Sequence, residues 1–456
     1  MPAHCPPVAR APHDVCQEAT RPATFVTTLT GRQEAEPDRA VPLTGVMALR
    51  GARPIGEGRV SARLMQTVGK LNMKSMKFQL AALGAALVLV ACGGGDSGRV
   101  FDSIVSFGDS LSDVGTYQVG TIAAAGGGKW TVNGPDARIW TEIVAAESGI
   151  AAPCPAQTGL LPNVPGFAGA PVSNHGECTN YAQGSARVSN PFGSPSAAAL
   201  QAPPFNQVNI GLLATPVSTQ MQTHLARAGG AYRGSELVTL TVGGNDLFMN
   251  FYGIAAAASG GSAAAGAAIA AGWDQPVQAA VAAGGPAAVQ AATAAAFAAM
   301  GRTGAELASL IRTQVLDKGA RYVLVLNLGD AAQTPFAMAT DAGTRQLVAA
   351  LVTAFNTELQ AGLAGTPVLV LDAFAQSRDQ AANPAKYGIA NATTPACITS
   401  PRNPLGNSSL GCTKDSTVTG DTSGYLYADE VHPSPLGYRL YARFAMQRMT
   451  AAGWFE

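Results

Sequence analysis

The run Ser103-Ile104-Val105-Ser106-Phe107-Gly108-Asp109-Ser110-Leu111-Ser112-Asp113 decides how this chain reads. Its first five residues form a short, largely apolar run, the pattern of a strand buried on both faces. The Gly-Asp-Ser that follows ends the strand in a tight turn. A serine at a strand's carboxyl end, in a turn entering a helix, stands above the sheet, where the helix N-terminus offers N–H groups to a developing oxyanion.

Three more runs of this kind follow, Leu237–Val242, Tyr322–Asn327 and Pro367–Leu371. Amphipathic patterns come after several of them. Ala305–Lys318 sets Leu307, Leu310, Ile311 and Val315 on one face, and Arg345–Leu363 behaves similarly. A last helix is expected over Pro435–Ala451, with Ser434 as N-cap and Pro435 at the first position. Continuous apolar strands alternating with such helices predict an α/β fold, a parallel sheet covered on both faces. Ligands in such sheets sit at the carboxyl ends of the strands. Residues 116–200 and 373–425 read as loop-rich insertions over the rim. Residues 255–299 are Ala-rich and read as small-faced helices broken at Gly260-Gly261 and Gly284-Gly285-Pro286, a lid or a spacer with no chemistry of its own.

Hydrophobic residues make up 47% of the 456 and charged ones 13%, which favours a globular chain over a disordered one. Its 29 basic and 29 acidic residues cancel, removing the electrostatic reason to expect nucleic acid as a partner. A neutral or apolar small molecule fits better.

Residues 1–72 are rich in Pro and Arg and show no sustained period, so they read as unstructured. Then Met73-Lys74-Ser75-Met76-Lys77, the apolar stretch Leu80–Ala91 and Leu89-Val90-Ala91-Cys92 supply the basic, apolar and small-residue parts of a secretory signal. Its ending resembles a bacterial lipoprotein signal, which implies lipidation of Cys92 and a membrane anchor. A membrane span needs about 20 apolar residues, and this run is shorter. Translation is therefore expected to start at Met73 or Met76, with 73–91 a signal peptide, 92–100 a linker and 101–456 the working domain. The product is expected in the cell envelope or outside the cell.

Beyond Cys92 four cysteines remain, all in loop-like stretches: Cys154, Cys178, Cys397 and Cys412. Local pairing, Cys154 with Cys178 and Cys397 with Cys412, is the simplest of three connectivities and matches an oxidising compartment. No Cys/His cluster has metal-ligand spacing, so neither a metal nor an organic cofactor is expected.

A serine nucleophile needs a base, and beyond Cys92 the chain offers only His175, His224 and His432. His432 ends Asp429-Glu430-Val431-His432 just before the final helix, so Asp429 could hold its other ring nitrogen and Glu430 could do so instead. His175 and His224 read as surface or core histidines. Each block alone has an ordinary explanation: Ser110 as a helix N-cap, Asp429 and His432 as a solvated loop pair, Gly243-Gly244-Asn245 as a turn.

Together the blocks are more specific. Phe107-Gly108-Asp109-Ser110-Leu111-Ser112-Asp113, Asn180-Tyr181-Ala182-Gln183-Gly184, Gly243-Gly244-Asn245-Asp246 and Asp429-x-x-His432 resemble the sequence blocks of the GDSL/SGNH hydrolases, in that family's order. The resemblance implies a three-layer flavodoxin-like sandwich and hydrolysis of carboxylic esters through an acyl-serine. It makes Ser110 the nucleophile, His432 the base and Asp429 its orienting partner. The Ser110 N–H, the Gly184 N–H and the Asn245 side-chain amide would form the oxyanion hole. Ser185 departs from the pattern, standing where many family members carry a second glycine. Neither Gly-x-Ser-x-Gly, Ser-x-x-Lys nor His-Glu-x-x-His occurs. The rival reading is a non-catalytic surface-binding lipoprotein on the same fold. An autotransporter passenger is disfavoured because Glu456 follows His432 too soon for a β-barrel.

Overall fold

The structure is a computed structural model that describes residues 100–162, 164–201 and 210–455. The expected signal, the Cys92 lipidation site and most of the linker lie outside the described residues.

The four expected strands form one parallel sheet. They are β1 (Ser103–Gly108), β5 (Glu236–Thr241), β6 (Tyr322–Leu326) and β7 (Leu369–Leu371), hydrogen-bonded in the order β1-β5-β6-β7. Ile104 pairs with Leu237, Leu237 with Tyr322 and Leu324 with Leu369. β7 begins two residues after Pro367, which has no N–H to donate to a ladder. Outside β1 the chain at Thr179 to Tyr181 runs parallel for a single bridge, Ser106 with Asn180. Counting that bridge as a shrunken strand gives the flavodoxin-like order 2-1-3-4-5. Three short antiparallel strands, β2 (Gln157–Pro162), β3 (Ala170–Asn174) and β4 (Ile210–Gly211), make a small separate sheet, the first two within the first insertion and β4 just beyond it.

Neighbouring residues on the central strands enter different cores, which is why these runs read as continuously apolar. Ile104, Leu237 and Leu324 pack with Trp140, Tyr438 and Met449 of the helices Trp140–Glu147 and Pro435–Ala451. Val105, Val238 and Val323 face the other way, into the helices Val217–Arg227, Gly285–Leu310 and Ala342–Leu363. The result is three layers. Ser434 caps the last helix, its Oγ accepting from Leu436 N at 3.1 Å and Gly437 N at 3.3 Å.

The Ala-rich stretch, read as a lid or a spacer, packs into the core. It forms the helices Gly261–Ala271, Gln275–Ala283 and Gly285–Leu310, starting and breaking at the glycines named above and also at Gly272, which was not expected, and Ala268, Ala271, Ala288, Ala292 and Ala296 lie in the same core as the sheet. Alanine alone hides such a face from hydrophobic periodicity. The expected Ala305–Lys318 helix is the end of the last of these, closed by a π-turn over Ile311–Leu316. The stretch read as a loop from Ala373 opens instead with a helix, Ala373–Ala382. Its buried face is Ala373, Ser377 and Gln380, too polar to signal one.

Cys154 is bonded to Cys178 and Cys397 to Cys412. No helix among the described residues is long and apolar enough to cross a membrane.

Candidate active site

Ser110 lies in the turn that ends β1. Asp109 N donates to Thr241 O at 3.1 Å, which folds the turn across the end of β5. Gly108 makes that crossing feasible, because a Cβ there would stand 2.3 Å from Thr241 O. Asp109 Oδ1 accepts from Leu111 N at 3.0 Å and closes the turn locally. No helix begins at Ser110, contrary to the expectation; the next one starts at Gly120, so any N–H groups offered here come from the turn itself.

Two side chains from the loop before the last helix complete a chain of hydrogen bonds. His432 Nε2 lies 2.9 Å from Ser110 Oγ, and His432 Nδ1 lies 2.9 Å from each Asp429 carboxylate oxygen. Asp429 also accepts from the backbone N–H groups of Val431, His432 and Ser409 at 3.0, 2.8 and 2.8 Å. Burial would push the Asp429 carboxyl up, but the His432 charge and these donors outweigh it and hold the group well below its ordinary value. Glu430 does not share this position; it is exposed, and its carboxylate lies 3.4 Å from Asn407 Nδ2.

The imidazole is held from above as well. The Trp130 ring covers it, with centroids 4.6 Å apart and 34° between planes. Trp130 in turn rests on Gly184, where a Cβ would come within 2.4 Å of the indole. The Gly184 N–H donates to Asp113 Oδ2 at 2.9 Å. That single hydrogen is therefore committed, which corrects the expectation that Gly184 serves an oxyanion; its glycine is required by the tryptophan, not by a ligand.

The neighbouring Ser185 lines the cavity instead, at φ 70°, a left-handed conformation. Among the described residues neither its N–H nor that of Ser110 has an acceptor. Asn245 stands in the first turn of the helix Gly244–Ala257, at the carboxyl end of β5. One hydrogen of its Nδ2 donates to Ala186 O at 3.0 Å, leaving the other free.

These groups open into a cavity of about 260 Å³ with apolar walls that include Leu247, Phe248, Tyr252, Leu328 and Phe336. Its acidic lining residues are Asp109, Asp330 and Glu430, and among the described residues no Lys or Arg lines it. Burial pushes the Asp109 carboxyl up to about 7, against the opposing donation from Leu111 N. His224 is enclosed by Phe107, Tyr181 and Tyr232, where burial lowers it to about 4, and His175 Nε2 lies 2.9 Å from Thr158 Oγ1. Neither hydrogen-bonds to Ser110 or Asp429. Among the described residues no group of three or more His, Cys, Asp or Glu could hold a metal ion.

No sequence signal marks Trp130 or Ser409. Trp130 sits in an insertion without a motif, and Ser409 acts through its backbone N–H, which no side-chain pattern reports. The odd residue at Ser185 was the one available signal for its position.

The family model for GDSL-like lipases and acylhydrolases matches residues 104–444. Esterase EstA of Pseudomonas aeruginosa is 34% identical over 142 residues, 29% of this chain and 20% of that protein. A GDSL esterase/lipase of Arabidopsis thaliana is 34% identical over 85 residues, 19% of this chain and 22% of the other. The matches thus span about a fifth of the length of these curated relatives. Among solved structures, phospholipase A1 from Streptomyces albidoflavus NA297 aligns over 76% of this chain and 99% of its own at 13% identity and a TM-score of 0.36. An extracellular lipase from Streptomyces rimosus aligns over the same shares at 14% identity and a TM-score of 0.36.

Proposed function

The chain belongs to the GDSL-like lipase/acylhydrolase family, and from that premise we propose that it hydrolyses carboxylic esters through an acyl-serine intermediate on Ser110. The observation that carries the reading is the hydrogen-bonded series Ser110 Oγ, His432 Nε2, His432 Nδ1, Asp429. His432 takes the hydroxyl proton as Ser110 attacks the acyl carbon, then gives it to the leaving alkoxide. Asp429 fixes the tautomer that leaves Nε2 free to accept and stabilises the imidazolium. Negative charge on the carbonyl oxygen is met by the Ser110 N–H, the Ser185 N–H and the free hydrogen of Asn245 Nδ2. Water, activated by His432, releases the acid.

Substrates are neutral acyl esters, small or lipid. The support is the lining, apolar with carboxyls and free of Lys and Arg, which gives an anionic substrate no counter-charge. In this reading 101–456 is the catalytic domain, while 73–91 exports it and Cys92 anchors it to a membrane. Intact mass of the cellular product tests the last part: a mature form retaining Met1 would overturn it.

The activity itself is tested on para-nitrophenyl esters from acetyl to palmitoyl, with wild type beside Ser110→Ala. Turnover that disappears in the variant is expected. A folded wild type inert on every ester would favour the binding lipoprotein.

A further inference from the structure

Asn245 does not reach the site unaided. Segment 186–188 and the first turn of the helix Gly244–Ala257 are stitched by three hydrogen bonds: Asn245 Nδ2 to Ala186 O at 3.0 Å, Arg187 Nε to Asp246 Oδ1 at 2.8 Å, and Val188 N to Asp246 Oδ2 at 3.1 Å. Two of the three oxyanion donors named above, Ser185 N–H and Asn245 Nδ2, stand at the active-site end of these two strips. Their separation is set by the stitch.

Arg187 is its centre. The Arg187 and Asp246 side chains are 4% and 2% exposed, so the ion pair is fully within the protein. Three more of the guanidinium's five N–H groups go to backbone carbonyls. Nη1 donates to Ala270 O at 2.7 Å and to Phe192 O at 3.2 Å, and Nη2 donates to Ala271 O at 3.2 Å. Ala270 and Ala271 are the last residues of the helix Gly261–Ala271, whose unsatisfied carbonyls and dipole favour a cation there. Phe192 belongs to the loop leading to Ser194 and Pro195 at the cavity wall.

We propose that Arg187 is a positioning residue for the oxyanion hole, and that the Ala-rich helix Gly261–Ala271 is the brace against which it holds Asn245 and Ser185 in register. This rests on the esterase reading. A planar fork with several fixed donors is required, which a lysine ammonium cannot reproduce. The Ala-rich stretch thereby acquires a role that its sequence gave no hint of.

The test is a cycle of Arg187→Lys, Asn245→Ala and the double variant, with kcat and KM on para-nitrophenyl butyrate and binding of a boronic acid that forms a tetrahedral adduct on serine. Arg187→Lys should lower kcat about 10- to 100-fold, part of what loss of an oxyanion donor costs, and weaken the boronic acid in parallel. KM should stay within about threefold, since the ground-state carbonyl uses these donors less. In the Asn245→Ala background the same change should cost clearly less than in the wild type, because one of the two donors that Arg187 positions is already gone. Unchanged kcat, or full additivity with Asn245→Ala, would overturn the inference. Should Arg187→Lys fail to fold, Asp246→Asn breaks the pair from the other side and must show the same non-additivity. Wild-type turnover abolished by Ser110→Ala, measured alongside, separates the two ideas: without it the esterase reading falls first.

Discussion

Trp130 lies over the face of His432 with ring centroids 4.6 Å apart, and the space it occupies is available only because residue 184 has no side chain. The base of the proposed triad is therefore held from three sides: by Asp429 at Nδ1, by Ser110 at Nε2, and by an indole across its plane.

Gly184→Ala should disturb that arrangement without touching any reacting atom. The added methyl meets the indole at about 2.4 Å, and overpacking of this kind costs about 1–3 kcal/mol. Displacement of Trp130 tilts His432, so kcat should fall about tenfold or more. Urea unfolding and steady-state kinetics on the same preparation check both effects.

Ser185→Gly should behave in the opposite way. Ser185 holds a left-handed φ of 70°, and among the described residues its buried Oγ has no hydrogen-bond partner. Glycine removes both costs while keeping the N–H, so stability should rise by about 1 kcal/mol with kcat nearly unchanged. A large loss of kcat would mean that the hydroxyl, not the N–H, serves the reaction.

Asp109 gives a pH signature in stability. Its folded-state value, about 7, lies above the ordinary 3.8, so the native state binds the extra proton between those values. The contribution is fully present below about pH 4 and is lost as pH rises through the folded value. Wild type should therefore lose stability relative to Asp109→Asn between about pH 4 and 7, by up to about 4 kcal/mol. Denaturant melts of the two proteins across that range measure it, and parallel curves would show that Asp109 is ionised throughout.

The two disulfides should differ in what they protect. Cys397–Cys412 closes a loop holding Ser409, whose N–H binds Asp429, and Cys397 N donates to Ala428 O. Cys154–Cys178 lies at the edge of the sheet, beside the Asn180 bridge. Replacing either pair by serines should cost about 3 kcal/mol, but only loss of Cys397–Cys412 should also lower kcat. Equal kcat in both variants would separate Ser409 from the work of Asp429.

Much of this was legible in the sequence because the central strands are buried on both faces. Ser103–Phe107 and Tyr322–Asn327 announce themselves as short, largely apolar runs, and a strand's end fixes where Ser110 and Asn245 must stand. With three histidines beyond Cys92 the base is a short choice, but spacing leaves Asp429 and Glu430 both open, and only the family resemblance selects Asp429. What was not legible depends on contacts between distant backbones. The Gly184 N–H is spent on Asp113, 71 residues away in sequence, and nothing local to either block reports it. The Ala-rich helices hid their core role because alanine carries no periodic contrast, and the helix at Ala373 hid behind a polar buried face.

The central claim is that Ser110 carries the acyl group, and trapping that adduct tests it most directly. The protein is reacted with a fluorophosphonate, digested, and the modified peptide located by mass spectrometry. The account predicts a single adduct on Ser110 that forms in wild type and is strongly suppressed in His432→Ala. An adduct on another serine, or ester turnover that persists while Ser110 stays unmodified, would contradict it.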